Sequence, residues 1–528
     1  MNTLVAALPI LLLIWMMVKR SPIASYIALP ITALLAALLQ LFYFQADLRL
    51  LLANVFAGVL SVMTPISIIA GAILLNRMLA ISGAETTIKH WLESISSNQV
   101  AQLMIIGWAF AFMLEGASGF GTPAAIAAPI LVGLGFSPFK VIVFTLILNS
   151  IPVSFGAVGT PTWFGFSALQ LDDGQVLAIS KWTALSHVIA ALVIPMIALC
   201  LVLPLKKVRQ NSIFIYLSVF SCVLPYWLFA QWNYEFPSLI GGAVGLLVTI
   251  YLASRGVGLD NSAANTQSSK NKLEFTPKTL FVALFPLLLL IVVLVITRIH
   301  QLGIKALLND ETLWLSVNLG FAQFELSKAL ILSLHEIFGT SVGWSYKTLF
   351  VPALIPFVLV VVFCVPILKM SKPQVKQMCS DTLGRIAMPC IALIGALVMV
   401  NVLMQGGHNA PIFYMASTFA DLSGEHWVLF ASYLGALGTF FSGSATVSNL
   451  TFGGIQYGIA EQVGLSETLV LALQSTGAAM GNMICISNII AVASIVGVNN
   501  QEGPVLKKTF LPMLIYGAIV GCFSYLFY

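Results

Sequence analysis

Glu115-Gly-Ala-Ser-Gly-Phe-Gly-Thr-Pro123 follows directly on an unbroken apolar run, Leu103 to Leu114. Within nine positions it places an acid, three glycines, two small hydroxyl residues and a proline, where a continuous helix would carry none of them. Further punctuation comes at Gly133-Leu-Gly-Phe-Ser137 and at Leu148-Asn-Ser-Ile-Pro-Val-Ser-Phe-Gly-Ala-Val-Gly-Thr-Pro161. A second set lies near the other end: Ser442-Gly-Ser-Ala-Thr-Val-Ser-Asn449, Val463-Gly-Leu-Ser-Glu467 and Leu473-Gln-Ser-Thr-Gly-Ala-Ala-Met-Gly-Asn482. The spacings agree, 33 positions from Gly116 to Asn149 and 31 from Gly443 to Gln474. Each set holds a Gly/Ser-rich break, a Gly-Leu connection ending in serine, and a second break opened by an amide beside a serine.

The surroundings of these sets are lipid-like. Of 528 residues, 59% are hydrophobic and 8% charged, against about 25% charged in soluble domains. Such a chain cannot cover a soluble surface, so the bilayer is its solvent. Runs of roughly 20 apolar residues, enough to span, recur along almost the whole length. Counting pieces inside the broken regions 116–170 and 443–497, the expectation is an all-α polytopic membrane protein with 12–14 transmembrane helices. The domain reading is 1–99 for N-terminal spans, 100–210 for a first repeat, 211–426 for intervening spans, and 427–528 for a second repeat. Residues 254–278 read as a polar linker, and 298–345 as an interfacial amphipathic helix. Met1 to Val18 lacks the basic n-region and cleavage site of a signal peptide and reads as a first span.

With the N-terminus outside, 17 of the 24 Lys and Arg residues fall in inward loops, which is the bias that sets orientation. Both termini are therefore expected outside. On that topology the spans 100–115 and 427–442 enter the membrane from opposite sides. Two similar units of opposite orientation are the signature of an inverted-repeat transporter. The bland alternative is that the small residues only permit tight helix packing.

Non-helical backbone at membrane depth survives only when buried in protein or lining a wet cavity. Glycine permits the reversal and a close approach to a guest, while Pro123, Pro152 and Pro161 interrupt the helical ladder. Amides freed at half-helix N-termini suit an anion. A carboxylate could thus bind without a buried Lys or Arg. The candidate substrate-binding residues are Gly116, Ser118, Gly119, Gly121, Thr122, Asn149, Ser150, Ser154, Gly156, Gly159, Thr160, Ser444, Thr446, Ser448, Asn449, Gln474, Ser475, Thr476 and Asn482. For Asn149 and Gln474 a helix–helix hydrogen bond is the equal alternative. Glu115 at bilayer depth costs about 2.5–3.5 kcal/mol on insertion scales and is a functional candidate by default. It reads either as a proton-coupling residue or as a static acid bonded to the hairpin's own amides. Asn401, His408, Arg298 and His300 sit near span ends, where interface roles are expected, and Arg77 reads as a helix cap at the inner face.

The seven cysteines have no CxxC spacing, so no metal or redox cofactor is expected. The net charge of +5 is spread over loops and not gathered on one face, so nucleic acid is not an expected partner. No HExxH, GxSxG or comparable element points to an embedded enzyme.

Phe112 to Pro123, Leu131 to Phe136 and Asn149 to Pro161 resemble the lactate permease family, with weaker similarity over most of the chain. The resemblance implies import of a small monocarboxylate, most of all L-lactate, with D-lactate or glycolate, by proton symport across the inner membrane. It also implies a two-hairpin, two-broken-helix carrier fold. A sodium-coupled or exchange carrier of another small carboxylate is the alternative. The expected partners are that carboxylate, a proton and the bilayer, with the oligomeric state, a homodimer included, left open.

The chain departs from the family's pattern at two places. Ala445 stands where the resemblance implies an acid, and Asn482 where it implies a base. Losing one member of a buried pair would cost about 3–5 kcal/mol, so joint loss is the expected form of the change. By elimination, Glu115 then leads as the proton carrier.

Overall fold

The computed structural model describes all residues except 1, 20–22, 120–121, 261–275, 299–302, 352–353, 407–408, 499–500 and 528. Gly121, His300, His408 and most of the expected linker 254–278 lie outside the described residues. Among the rest, eight helices are long and apolar enough to cross a membrane, or ten if each of two bent pairs counts as one span. The larger expectation of 12–14 counted the short pieces inside the broken regions. Pieces such as Thr122–Gly133 and Ile486–Ile495 are too short to span alone at 1.5 Å per residue.

The chain forms two compact units. One comprises Met1–Thr86 with Pro277–Thr418, the other Thr87–Thr276 with Phe419–Tyr528. Residues 211–276 therefore group with both sets of breaks, whereas the rest of the intervening block, up to Thr418, falls in the first unit.

In the first unit the 33-residue helix Lys372–Met404 is the central strut. It meets Ser25–Phe42 and Leu48–Ser61 at glycines: a Cβ on Gly395 would lie 2.5 Å from the Pro30 nitrogen, and one on Gly58 2.9 Å from the Val398 Cα. Its last carbonyls would be orphaned in lipid. Gln40 is buried beside them, and its Nε2 donates to Val402 O at 2.7 Å and Gln405 O at 3.0 Å. Replacing Gln40 by Leu removes the side-chain donor from Gln405 O and leaves Val402 O with only the Gln405 N–H at 3.3 Å, at about 1–3 kcal/mol. The expected outcome is a lower melting temperature in detergent with an unchanged KM. A simultaneous change in KM would contradict a purely structural role.

Arg77 does not cap a helix. Its Nη2 lies 2.5 Å from Asp381 Oδ2 on Lys372–Met404, because a guanidinium near lipid is cheapest when paired. Asn401 donates to Asn54 O at 3.5 Å within the same unit.

The expected amphipathic helix over 298–345 is corrected by the structure. After a short helix, Ile304–Leu308, the segment forms an antiparallel meander in the order β1 (Leu313–Asn318), β2 (Gln323–Ser327), β3 (Ile331–His335), β4 (Trp344–Lys347). The reason is periodicity. Leu313, Leu315 and Val317 alternate with period two, as do Phe324 and Leu326, then Leu332 and Leu334. Gly320, at φ 84°, closes the first turn. Ala322, Leu334 and Ile337 then pack on Ala53 and Ala57 of Leu48–Ser61.

The second unit carries the breaks. Its span Gln99–Ser118 is 94% buried within protein, against 28% for Pro277–Leu294 of the first unit. A helix sheathed by protein on all sides can end in mid-bilayer, since protein and not lipid receives its free backbone groups. Residues Leu103–Phe110 of that span form a π-helical stretch, a feature frequent at functional sites.

Candidate functional site

The first hairpin ends its inward arm Ala111–Ser118 at Gly119, whose φ 58° and ψ −154° belong to a region open only to glycine. The return arm is Thr122–Gly133. The first broken helix runs Pro138–Asn149, then bends by 57° into Pro152–Leu169. At the bend a 3-10 turn, Pro152–Phe155, leads to Ala157, Val158 and Gly159 at φ 43°, 57° and 71°. Two non-glycine residues in succession in the left-handed region is costly backbone, roughly 1–2 kcal/mol each. In the second hairpin Trp427–Ser442 is capped by left-handed Gly443, and Ala445–Val463 begins at the N-cap Ser444. The second broken helix has Glu467–Gly481, a 3-10 turn Asn482–Ile484, and Ile486–Ile495.

All four breaks meet at one cavity. Its empty space, counted out to its open mouth, is about 340 Å³. The lining is Glu115 and Gly119 from the first hairpin, Val153, Gly156, Ala157 and Pro161 from the first broken helix, Gly443 to Thr446 from the second hairpin, and Asn482 from the second broken helix. Glu115 is the one charged side chain in that lining, and no Lys or Arg joins it. Its Oε2 accepts from Asn149 Nδ2 at 3.1 Å. Gly156 leaves room for that carboxyl, because a Cβ there would lie 2.4 Å from Glu115 Oε1 and push it aside. The N-terminus of Ala445–Val463 lines the same cavity. Ser444 Oγ accepts from the Val447 N–H at 3.4 Å, and the Ala445 and Thr446 amides precede the helical ladder. The lining therefore combines a carboxyl with the positive end of a 19-residue helix.

The profile of the L-lactate permease family matches residues 2–528. The chain belongs to the L-lactate permease family. A Haemophilus influenzae protein that bears an L-lactate permease name is 54% identical over 522 residues, covering 99% of this chain and 97% of that one. The L-lactate permease of Salmonella typhi is 26% identical over 99% of this chain and 95% of its own. The glycolate permease GlcA of Escherichia coli K12 is 25% identical over 100% and 95%. Among solved structures, Neisseria gonorrhoeae MtrF, of a class of antimetabolite efflux pumps, aligns over 97% of this chain and 96% of its own with a TM-score of 0.46 and 13% identity. As a permease-family member with eight to ten candidate spans, the chain is a multi-pass membrane protein.

The family member's cavity gathers Glu115, Gly119, Gly156, Ser444, Thr446 and Asn482 from the sequence candidates. Ala445 and Asn482, the two departures from the resembled pattern, line it together.

The other candidates have different employment. Gly116 lets the hairpin touch the neighbouring span, since its Cβ would lie 2.2 Å from Leu239 N; Gly159 does the same against Tyr234 O at 2.1 Å. Ser118, Ser150 and Thr476 bond back to Leu114 O, Ile147 O and Ala472 O of their own helices. Thr160 Oγ1 donates to Ala157 O at 2.5 Å, inside the left-handed turn. Ser448 donates to Gly435 O at 2.7 Å. Asn149 reaches Glu115 and does not line the cavity, and its Oδ1 is buried without a partner. Gln474 Nε2 donates to Ser448 and Asn449, while its Oε1 accepts from Gln456, which Trp427 holds in turn. Ser154 and Ser475 bond to each other at 3.1 Å. Helix backbone and helix neighbours satisfy these groups first, because an unpaired polar atom in a dry interior costs more than a bond to a guest returns. Thr122 begins its helix.

Sequence reasoning missed His187, Tyr516 and Asn488. His187 bonds Ser154 through Nε2 at 2.8 Å and Tyr516 through Nδ1, and Asn488 Nδ2 donates to Asn482 Oδ1. His187 stands in an apolar helix, Asp173–Ala191, where a buried imidazole was the one available signal.

Proposed function

We propose that this chain is a secondary transporter that imports lactate or glycolate together with a proton, and that Glu115 carries the proton. The observation behind this reading is the cavity at the four breaks, where Glu115 is the sole charged lining side chain and shares the lining with a helix N-terminus. An ionised Glu115 and a substrate carboxylate 4 Å apart would repel by about 4 kcal/mol at an effective dielectric near 20. Protonated, the same group becomes a donor to the guest. Anion and proton then enter as a neutral pair, and neither crosses well without the other. The names of the relatives, L-lactate and glycolate permeases, supply the substrate class.

The repeats 100–210 and 427–528 form the transport site in this reading. The Lys and Arg bias puts both termini on the outer face of the inner membrane. Reporter fusions at residue 528 should report from outside; an inside signal overturns that orientation.

The decisive test is uptake of labelled lactate, glycolate and pyruvate into membrane vesicles under an imposed pH gradient, with a sodium gradient as the second arm. Accumulation is expected with acid outside, for lactate and glycolate above pyruvate. Accumulation driven by sodium alone would replace the proton in this scheme.

A further inference from the structure

Between Ser154 and Pro161 the backbone makes the turn that shapes one wall of the cavity, and two of its residues hold left-handed conformations that L side chains rarely adopt. On the turn itself the Thr160 hydroxyl donates to Ala157 O, the Trp163 indole to Val158 O, and the Thr162 hydroxyl to Ser154 O at 2.7 Å. The two ends are also held from elsewhere. At the far end the bend removes the helical partner of the Pro161 carbonyl, because the Gly165 N–H turns to Thr160 O at 3.1 Å. Asn449 Nδ2, from the second repeat, takes the freed carbonyl at 2.8 Å. Gln474 fixes the amide by donating to Asn449 Oδ1 at 3.3 Å.

At the near end Ser154 Oγ donates to Ser475 O at 3.1 Å and meets His187 Nε2 at 2.8 Å. The Tyr516 hydroxyl meets the other ring nitrogen, Nδ1, so both nitrogens of the imidazole are engaged. Ser154, His187, Ser475 and Tyr516 are all fully buried. We infer that Asn449 and His187 are positioning residues that clamp the left-handed turn Ala157–Gly159 in its cavity-forming shape, one from each end. The inference rests on the transport reading only in assigning the cavity its guest. Neither side chain lines the cavity, so both act through the turn.

Relief of the left-handed strain at Ala157 is the readout that a merely structural role would not move. Asn449→Ala and His187→Ala are each expected to raise the lactate KM about tenfold, with a smaller fall in maximal rate. Adding Ala157→Gly, which occupies the left-handed region freely, should bring KM to within about threefold of that of Ala157→Gly alone. His187→Gln, whose amide can still reach Ser154, should behave close to the parent. A second measurement needs no substrate. With the seven native cysteines replaced by serine, spin labels at the exposed positions Ser167 and Glu461 report the turn against the second repeat. One narrow distance is expected in the parent, a broadened one in the two clamp variants, and a narrow one again with Ala157→Gly. Parental KM and distances in the clamp variants, or failure of Ala157→Gly to restore either, overturns the clamp. Should the parent take up none of the three acids, the transport reading falls, and the distances still decide the clamp.

Discussion

Vesicles carrying Glu115→Gln will fail to accumulate lactate against a gradient, while exchange of lactate across the same membrane persists in part. Glutamine keeps the shape of the protonated side chain and can still accept the Asn149 amide, 3.1 Å from Glu115 Oε2. What it loses is the ability to give up a proton. Binding of the anion should therefore survive, since no charge opposes it, and the coupling to the pH gradient should vanish. Counterflow of labelled against unlabelled lactate reads the first, and pH-driven accumulation reads the second. The accumulation ratio is expected to fall to that of simple equilibration, because a side chain that cannot take up and release a proton cannot draw on the pH gradient. Full gradient-driven accumulation by the glutamine variant would remove Glu115 from the mechanism.

The second large effect concerns Asn482. It lines the cavity with Glu115, as does Ala445. A lysine at Asn482 would find one acid within that lining, Glu115, and would pair with it. The carrier group would then be held ionised and occupied. Asn482→Lys alone should depress uptake by at least about a hundredfold, the lower end of the scale set by stranding or capturing a buried charge at roughly 3–5 kcal/mol. Adding Ala445→Asp gives the lysine its own counter-charge and frees Glu115, so the double variant should recover most of the loss. Initial rates of uptake, normalised to protein in the membrane, check both. Equal defects in the single and double variants would show that positions 445 and 482 do not face each other across a shared site.

Two of the residues singled out from sequence illustrate how differently the same signal can be spent. Gly119 and Gly116 lie three positions apart in one glycine-rich string. Gly119 has a backbone conformation closed to other residues and lines the cavity, whereas Gly116 simply lets two helices touch. Sequence shows that a side chain is missing at both. It does not show whether a guest or a neighbouring helix fills the space. Gln474 and Asn149 tell the same story for amides. Both open a break at matched spacing, yet one orients Glu115 and the other is consumed in a glutamine–tryptophan network.

Residues 313–347 were legible in principle, since their alternation with period two is written in the chain. Scattered charges drew the reading toward a surface helix. His187 was not legible, because its partners Ser154 and Tyr516 are 33 and 329 positions away.

Composition and punctuation by themselves determined that the chain lives in a membrane, that its helices break at two matched places, and that Glu115 stands at one of them. Those properties are local: apolar run length, the freedom of glycine and the missing N–H of proline act within a few residues. Which hydroxyls and amides face the cavity was settled only by tertiary structure. A buried polar group bonds whatever partner packing brings within about 3 Å, and that partner comes from a distant helix whose approach no local pattern encodes.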